Sequence, residues 1–402
     1  MSTNLNENKK VLYVAFIRED SESLGFVKKV YAQCRALSKN GVQTYLYISR
    51  KDSAELYEVS SDKVENVKSF KYSSFATFKK TNFFLMKFKN LVRFNEYLSF
   101  LQEAIDFINP DKIYIRRVIP VTNGLISLVK SMKEKNIQVF YEYPDFPDIP
   151  WVKPKNQSIA NQLKYIIEKK QVTKLKKYLY RIVAISVDES IIDEKLEIVY
   201  IRNGIDLTNM PMTTREYQKH TVNLLGVANI GFWHAYDRVI RGLDKYYKEH
   251  KKAINVKFHI VGDGKEKSML EQLVRDFNLD EHVIFYGSKN GEELNEIVNQ
   301  GDIGIGILGN HRKELYGDSS LKNREYCARA IPFVIAARDL DFPDELPFVK
   351  RISADETIVD IDEIVEFYNN LNEFHPNFRE EMRTYAVKNL QWEEKIKPII
   401  HA

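Results

Sequence analysis

Residues 317–333 read GDSSLKNREYCARAIPF, and the predicted organisation of the chain centres on this stretch. Polar residues that can cap a helix come first, helix-forming residues follow, and Ile331-Pro332 ends the pattern. The stretch therefore predicts a short helix that begins at Ser319 and Ser320. A helix N-terminus offers unpaired N–H groups and a partial positive charge, so these two hydroxyls would lie where a diphosphate binds well.

Lys322 and Glu325 lie three residues apart and share one face of this helix. The lysine adds a cation beside the predicted phosphate position, and both oxygens of the glutamate can accept hydrogen bonds from sugar hydroxyls. These residue types in this pattern indicate a site for a nucleotide sugar. The alternative is a capped helix with a solvated Lys322–Glu325 pair, because most motif matches are not functional sites.

The size and composition of the chain predict a folded protein with two domains. It has 402 residues, of which 44% are hydrophobic and 29% are charged. This length exceeds what one hydrophobic core usually organises. Cys34 and Cys327 are far apart and lack the spacing of metal ligands, which favours two buried thiols in a reducing compartment.

The N-terminus, MSTNLNENKK, is polar and contains no apolar segment of the kind that signal peptides have. A membrane-spanning helix needs a run of about 18 apolar residues, and the sequence shows none. We therefore expect a cytoplasmic protein.

Strands and helices alternate from the first apolar run onwards. Residues 11–17 (VLYVAFI) and 42–49 (VQTYLYIS) read as buried strands, and residues 27–37 between them have helical periodicity. Gly25 marks the turn from the first strand into this helix, where a ligand can approach the backbone. An ordinary turn would also contain a single glycine here.

Residues 71–102 differ from their surroundings because cations and aromatic side chains alternate there. The residues that carry this pattern include Lys79, Lys80, Phe83, Phe84 and Lys87. Such a helix can lie in a membrane interface, with its rings buried and its cations among anionic headgroups. The alternative is a helix packed on its own domain, with lysines that extend along it into solvent.

Polar groups follow two further predicted strands, residues 111–118 (DKIYIRRV) and 137–143 (IQVFYEY). The first strand ends at Arg116 and Arg117, and the second ends at Glu142 with Asp145 close behind. Ligands of open α/β sheets bind beyond the carboxyl ends of the strands. We therefore predict that these side chains contact a ligand; the alternative for the two acids is a surface or hinge carboxylate.

Residues 161–181 form a second basic segment with helical periodicity, which we interpret as a solvated helix face. Residues 181–186 and 198–201 read as short strands. Asn203-Gly204 reads as a turn and as a hinge between domains.

The alternation resumes in the second half of the chain, where glycines follow several predicted strands. The predicted strands are residues 222–228, 256–261, 283–286 and 303–308, and the predicted helices are residues 236–249, 265–277, 292–299 and the helix at Ser319. Gly262, Gly287 with Ser288, and Gly309 stand at or just beyond strand ends. This spacing predicts a second doubly wound α/β domain. A last helical pattern covers residues 377–400.

The order of these signals resembles the retaining glycosyltransferases of the GT-B fold, specifically family four. The likeness is carried by IRNGID at residues 201–206, VGDG at 261–264 followed by VIFYGS, REYCARAIPFVIA at 324–336, and QWEE at 391–394. In the third of these segments Glu325 matches the glutamate of the family's E-A-M-A-x-G-x-P-V-I-A pattern.

The resemblance implies two Rossmann-like doubly wound domains that face each other across a cleft. These would be an acceptor domain at residues 1–205, a nucleotide-sugar domain at 206–376, and a helix at 377–402 that packs back on the first domain. It implies that a hexose moves, with retention, from a nucleoside diphosphate sugar to a glycan or lipid-linked glycan acceptor in bacterial polysaccharide biosynthesis. UDP is the first candidate for the nucleotide. No cofactor is implied, and a lipid-linked acceptor would place the protein at the inner face of the plasma membrane.

The resemblance also implies roles for particular residues. Glu325 would hold the ribose hydroxyls, and Ser319, Ser320 and Lys322 would face phosphate. Gly287 and Ser288 would lie near the base, and the further donor-side positions are Gly25, Gly262 and Gly309, while Arg116 and Arg117 would lie on the acceptor side. The Asp-x-Asp triplets at 339–341 and 360–362 fall outside the expected site, so cations and the helix N-terminus, with no metal, would compensate the leaving diphosphate.

The chain departs from the family at several positions. Asn229 and His234 stand where the family has an arginine and a lysine, and Arg238 lies one turn further on. A histidine near a diphosphate could be drawn to its charged form, or Arg238 could reach the phosphates instead. The family's first glutamate falls at Gly317, which leaves Asp318 and Glu314 as candidates, and the family's N-terminal histidine has Glu142 and Asp145 nearest to it. Asp318, Glu142 and Asp145 are therefore the catalytic candidates.

Two other functions fit parts of the sequence. A non-catalytic GT-B accessory or glycan-binding protein would retain the fold without the family's arginine and lysine. Nucleic-acid binding through the basic segments is disfavoured, because the net charge is only +4 and no nucleic-acid-binding motif is present.

Overall fold

The structure, a computed structural model, describes residues 9–16, 24–77, 83–143, 159–185, 197–208, 210–250, 254–315 and 317–402. Packing divides the chain into two units. The first comprises Met1–Ile201 and Trp392–Ala402, and the second comprises Arg202–Gln391. The sequence-based boundaries lie after residues 205 and 376, so the second differs from the packing boundary by 15 residues (391 − 376).

The first unit is built on an eight-stranded sheet with the order β4-β3-β2-β1-β5-β6-β7-β8. Its strands are β1 (Lys10–Ala15), β2 (Gln43–Ser49), β3 (Ser53–Val59), β4 (Val64–Lys71), β5 (Lys112–Arg116), β6 (Gln138–Tyr143), β7 (Arg181–Ile185) and β8 (Ile198–Ile201). All neighbours pair in parallel except β3, which is antiparallel to β2 and to β4. The central strands are apolar on both sides because helices cover both faces.

The helices of this unit form two layers. They are α1 (Leu24–Lys39), α2 (Ser74–Thr77), α3 (Phe83–Ile108), α4 (Asn123–Glu134) and α5 (Ile159–Lys176). One core joins the sheet to α3, α4 and α5 through residues such as Leu101, Val129 and Leu175. The other joins it to α1, through residues such as Val30 and Leu37.

The hairpin formed by β3 and β4 was not predicted from the sequence. β3 (SAELYEV) has the alternation of a half-buried strand only in part, because a register shift between Leu56 and Tyr57 interrupts it. Nearly all of β4 is exposed or half-buried, so it has no apolar run. The hairpin therefore lacks the continuous apolar signal that marks the central strands.

The second unit is built on a six-stranded parallel sheet with the order β11-β10-β9-β12-β14-β16. Its strands are β9 (Thr221–Val227), β10 (Asn255–Val261), β11 (Val283–Gly287), β12 (Ile303–Ile305), β14 (Phe333–Ile335) and β16 (Val349–Arg351), and a separate short pair is formed by β13 (Gly317–Asp318) and β15 (Arg338–Asp339). Its helices are α6 (Tyr236–Glu249), α7 (Lys267–Asp276), α8 (Gly291–Val298), α9 (Leu321–Ala328), α10 (Ile361–Phe374) and α11 (Phe378–Asn389). Both units are doubly wound α/β units, and the predicted fold class is confirmed.

The C-terminal segment is divided between the units. The predicted single helix over residues 377–400 is wrong, since the segment forms three helices: α11, α12 (Trp392–Lys395) and α13 (Lys397–His401). α11 packs on α9 in the second unit, whereas Trp392 and Ile396 are buried against the α1 side of the first sheet. Ile205 and Gln391, near the two ends of the second unit, form a parallel β-bridge.

Two further observations bear on the sequence-based expectations. Cys34 and Cys327 are buried free thiols. Among the helices within the described ranges, not one combines the length and the apolar character that a membrane crossing requires.

Candidate functional site

The start of α9 lies at the carboxyl edge of the second sheet, as expected for a helix that leads into a parallel strand. Ser320 is the extended residue before the helix, and its N–H donates to the Asp318 carboxylate over 2.9 Å. The Ser320 hydroxyl oxygen is buried and has no hydrogen-bond partner within the described part of the chain. Because an unpaired buried hydroxyl is unfavourable, it is a natural donor or acceptor for a ligand at this helix start.

Ser319, by contrast, is already bonded within the protein. Its hydroxyl accepts from the N–H of Asn203 at 2.9 Å, and the Asn203 amide nitrogen donates to the Ser319 carbonyl at 2.6 Å. The IRNGID segment therefore holds the loop before α9. A phosphate-facing role for Ser319 stays a prediction, and this geometry indicates a positioning role.

The surroundings of Lys322 disfavour the positive charge of its side chain. Its Nζ donates to the Tyr236 hydroxyl at 3.2 Å and lies 5.4 Å from the centroid of the Tyr236 ring. Burial lowers the pKa of Lys322 to about 7, although the charges of Asp318 and Glu325 act in the opposite direction. The nitrogen retains two further protons that can be donated, so an anion bound here would stabilise the charged form.

His234 lies next to Lys322 and is neutral. Its Nδ1 lies 3.0 Å from the Gly231 backbone nitrogen and 3.2 Å from the Gly231 carbonyl oxygen. Burial, followed by the charge of Lys322, lowers the pKa of His234 to about 2. The hypothesis that this histidine supplies a cation does not agree with the structure.

Arg238 also differs from its predicted role. The side chain is buried, and its guanidinium donates to three backbone carbonyls, those of Thr357, Leu308 and Ser353, at 2.6, 2.7 and 3.0 Å. These bonds tie the start of α6 to the segment before α10. Arg238 is therefore a structural residue here and not a phosphate ligand.

Glycines let the loops at the carboxyl edge of this sheet approach each other closely. Gly262 has φ +125°, and a Cβ added there would lie 1.8 Å from the Ala228 carbonyl oxygen. Gly264 has φ +154°, and its added Cβ would lie 2.3 Å from the Ile230 carbonyl oxygen. The VGDG segment thus packs its bare backbone on residues 228–230, which no side chain would permit.

The remaining predicted donor positions line the same edge of the sheet. Asn229 and Ser288 are exposed. The Gly287 carbonyl accepts a hydrogen bond from the Gly262 N–H at 2.8 Å, and the Gly309 N–H donates one to the Trp233 carbonyl at 3.0 Å. Glu325 is half-buried one turn into α9. The second sheet therefore brings the predicted donor residues of its own unit together, apart from the inward-facing Arg238.

A buried ionic network behind α9 was missed by sequence reasoning. Arg324 is fully buried and donates to the carboxylates of Asp339 and Asp341, to the Asn203 carbonyl at 2.6 Å and to the Ser320 carbonyl at 3.0 Å. The first Asp-x-Asp triplet therefore binds an arginine. No sequence signal marks Arg324, because its partners come from segments up to 121 residues away.

Asp318 adjoins this network, because β13 pairs with β15 and sets Asp318 opposite Asp339. Its second oxygen accepts from the Asn323 amide at 3.0 Å. Burial, followed by the charge of Asp339, raises the pKa of Asp318 to about 6, against the effect of Arg324. A carboxyl group with this pKa can exchange a proton near neutral pH.

In the first unit, Glu142 lies at the carboxyl end of β6 but is inaccessible. It is 0% exposed. One oxygen accepts from Arg116 at 2.8 Å, with the Lys29 ammonium at 3.7 Å, and the other accepts from the Tyr114 hydroxyl at 2.5 Å and the Gln33 amide at 3.3 Å. Burial alone would raise the pKa of Glu142, but the two cations and the hydrogen bonds hold it below its usual value. We therefore correct its predicted sugar-contacting role to that of a buried anion that fixes Arg116.

The other predicted residues of this unit fall partly outside the described residues. Arg116 and Arg117 lie at the carboxyl end of β5, and the Arg117 guanidinium lies 5.4 Å from the Tyr143 ring centroid. Gly25 lies in the first turn of α1. Lys79, Lys80 and Asp145 are outside the described residues, as are the side chains of Phe83, Phe84 and Lys87.

Residues 219–312 match the family model described as glycosyl transferases group 1. Several solved structures match nearly the whole chain. They include the sucrose-phosphate synthase of Thermosynechococcus elongatus, with TM-score 0.60 and 11% identity over 97% of each chain. The chain has the GT-B fold.

Two other GT-B structures are similar over their full length. The pneumococcal O-GlcNAc transferase GtfA, solved with UDP and GlcNAc, has TM-score 0.58 and 10% identity over 98% of each chain. A variant of S. aureus TarM, solved with fondaparinux, alpha-GlcNAc-glycerol and UDP, has TM-score 0.60 and 11% identity over 98% of this chain and 99% of that one. Among curated proteins, none matches the chain in sequence. The family match and the GT-B fold together support glycosyl transfer from a nucleotide sugar.

Proposed function

We propose that the protein is a retaining, metal-independent glycosyltransferase that moves a hexose from a nucleoside diphosphate sugar to a glycan or lipid-linked glycan. The group 1 match over residues 219–312 and the GT-B fold support the general reaction. The single observation that carries the proposal is Lys322, a half-buried lysine at the start of α9 whose Nζ donates a hydrogen bond to the Tyr236 hydroxyl.

The leaving diphosphate needs positively charged groups beside it. These groups should already be fixed in the site, so that no water has to be removed from them during the reaction. The first N–H groups of α9, the unpaired Ser320 hydroxyl and the Lys322 ammonium all belong to the start of this helix and can supply this positive charge. Lys322 also accounts for the departure at position 234. Burial, followed by the charge of Lys322, lowers the pKa of His234, so Lys322 is near enough to take the place of the cation missing from that position.

The remaining groups fit the other parts of a donor. Glu325, one turn along α9, presents a carboxylate for the ribose hydroxyls. Asp318 lies before the same helix and takes the place of the family's first glutamate beside the transferred sugar. UDP is the first candidate nucleotide, since GtfA and TarM were both solved with it. We assign the acceptor to the first unit, where Arg116 and Arg117 follow β5.

A thermal-shift comparison of UDP, GDP, ADP and CMP tests the proposal, since a ligand that binds the folded state raises its melting temperature. We expect one diphosphate to raise the melting temperature of the wild type and to have a much smaller effect on Lys322→Ala. Lys245→Ala is the matched control, because Lys245 is an exposed lysine of α6 that pairs with Glu249 on the same helix. Equal shifts for all three proteins, or none for any nucleotide, would refute the assignment.

A non-catalytic GT-B accessory protein remains the second candidate. The observation that favours it is the neutral His234 with exposed Asn229, where the family has two cations. Incubation with a panel of nucleotide sugars separates the two functions. Slow hydrolysis of one donor that disappears in Glu325→Ala identifies the enzyme, and nucleotide binding with no turnover of any donor identifies the accessory protein.

A further inference from the structure

The outward face of α5 is apolar. Ile159, Leu163, Ile166 and Ile167 are 84%, 57%, 60% and 54% exposed. Their spacing places them on one side of the helix, since residues four, seven and eight positions apart share a face. Four large aliphatic side chains, each more than half exposed, form a continuous stripe of the kind that marks an interaction surface.

The inward face of the same helix is already occupied. Leu175 is buried in the core of the first unit, and the carboxylate of buried Glu168 accepts from the Val121 N–H at 3.1 Å. The aliphatic stripe lies on the opposite side from both. The outward face of this segment is solvent-exposed, as interpreted from the sequence, but its N-terminal half is apolar.

The charges of α5 are of one sign. Its lysines are Lys164, Lys169, Lys170, Lys174 and Lys176, and its only acid, Glu168, is the buried one. Lys170 and Lys174 continue the aliphatic stripe towards the C-terminus of the helix, while Lys164 and Lys169 flank it, and all four are exposed. The outward face is thus an apolar patch bordered by cations.

A second exposed apolar group lies at the same edge of the sheet. α3 and α5 each begin at the carboxyl edge, because each precedes a strand that is parallel to the rest. Leu85, Met86, Phe88 and Leu91, in the first turns of α3, are 44%, 44%, 59% and 48% exposed. This is the edge at which Arg116 and Arg117 leave β5.

We propose that the outward face of α5, joined by the first turns of α3, binds an anionic lipid surface. Aliphatic side chains of this kind enter the boundary between headgroups and acyl chains, and lysines beside them lie among anionic headgroups. A two-fold contact between copies of the chain would instead bring like patches together, with lysine against lysine. Charge complementarity therefore favours lipid over a second copy. The inference extends the proposed function, because it brings the edge assigned to the acceptor to a membrane that can carry a lipid-linked acceptor.

Co-sedimentation of the full chain with vesicles tests this surface. We expect binding to phosphatidylglycerol vesicles, weak binding to phosphatidylcholine vesicles, and release by salt. Leu163→Ser/Ile166→Ser/Ile167→Ser should lower the partition coefficient at least about tenfold, because the apolar insertion is lost. Lys170→Glu/Lys174→Glu should lower it about thirtyfold at low salt on anionic vesicles only, since each lysine contributes about a factor of five.

The matched controls are Phe374→Ser, which removes an exposed ring of α10, and Lys245→Glu on α6. Neither should change vesicle binding. Absence of wild-type binding, or equal binding by the α5 variants, overturns the inference. So does a wild-type dimer that the serine variant converts to a monomer with vesicle binding unchanged.

The nucleotide-induced thermal shift, measured on the same variants, distinguishes the two proposals. It should be retained in the α5 variants, and its loss in every protein would refute the donor site alone.

Discussion

At the scale of single residues, the start of α9 holds its positive charge on Lys322, whereas the nearby His234 is neutral. The resemblance to family four directs attention to residues 229 and 234, where asparagine and a neutral histidine stand. We propose that the cation comes from Lys322 instead, on a helix that begins 87 residues (321 − 234) further along the chain. The sequence already places Lys322 beside the predicted phosphate position, but its proximity to His234 is seen only in the folded chain, where its charge lowers the pKa of the histidine.

The lowered pKa of Lys322 predicts a specific pH dependence of nucleotide binding. A bound diphosphate favours the charged lysine, so binding above about pH 7 requires proton uptake. We expect the affinity of the wild type for UDP to fall between pH 7.5 and 9.5, by at most about tenfold per pH unit. Arginine stays charged throughout, so Lys322→Arg should show a flat profile. Calorimetric titrations over this range provide the measurement, and parallel profiles for the two proteins would contradict the prediction.

Glu142 gives a prediction about stability. In Glu142→Gln the cations of Arg116 and Lys29 lose the carboxylate charge of Glu142, and we expect the free energy of unfolding to fall by about 3–5 kcal/mol. The folded pKa of Glu142 lies below its usual 4.5, so the stabilisation by the charged form is present above that pH and is lost as the pH falls through the folded value. The difference between variant and wild type should therefore shrink in acid.

Urea unfolding at several pH values measures this difference. Glu134→Gln is the control, because Glu134 forms only an exposed pair with Lys130, and its replacement should change stability by less than about 0.5 kcal/mol. An unchanged stability of Glu142→Gln, combined with a loss of turnover, would instead restore Glu142 as a catalytic residue.

At the scale of elements, close approach of backbones shapes the candidate donor site. Gly262 joins a left-handed φ to a contact that leaves no room for a Cβ, since the Ala228 carbonyl oxygen would lie 1.8 Å away. The turn after β10 is thus pressed on the turn after β9. Any side chain at position 262 would move these two turns apart.

We therefore predict that Gly262→Ala lowers the free energy of unfolding by more than about 2 kcal/mol and weakens nucleotide binding. Gly287→Ala is the matched control. Gly287 has φ +67° but nothing within 4 Å of an added Cβ, so only the conformational cost of about 1–2 kcal/mol applies. Denaturant unfolding and UDP titration of both variants give the comparison, and equal stability losses would show that the contact with Ala228 has no effect.

The individual elements also show how much of the fold and of the candidate site could be predicted from the sequence. Apolar periodicity located α6 and β8 at the bounds that the structure has, and capping residues located the start of α9, because these signals are local. The edge hairpin was missed because edge strands carry little apolar signal. The roles of Arg238 and Glu142 were misjudged for a different reason. Their partners are up to 119 residues away for Arg238 and up to 113 (142 − 29) for Glu142, and local patterns do not reveal such partners.

At the scale of the whole molecule, the second unit is an insertion in the first. The chain leaves the first unit after Ile201 and returns at Trp392. Near these crossings the Ile205 N–H donates to the Leu390 carbonyl at 2.8 Å, and Ile205 forms a bridge with Gln391. The second unit also has its own two cores.

We predict that a fragment of residues 202–391 folds alone and binds UDP with an affinity within about tenfold of that of the full chain. The physical reason is that every predicted donor residue except Gly25 lies in this unit, and its own cores need no residue of the first. Circular dichroism, cooperative thermal unfolding and UDP titration test the fragment. A fragment that stops at residue 376 is the control, and it should unfold because it lacks α11, which covers α9.

The bridge between Ile205 and Gln391 bears on how proteins with an inserted second unit can evolve. When the first and last residues of a segment lie close together, the segment can be removed from one protein and inserted into another without distorting either of them. With the donor bound by the second unit and the acceptor by the first, as we propose, donor preference and acceptor preference could be inherited from different parents. Exchange of this segment between relatives would be the direct way to build hybrids with new sugar–acceptor combinations.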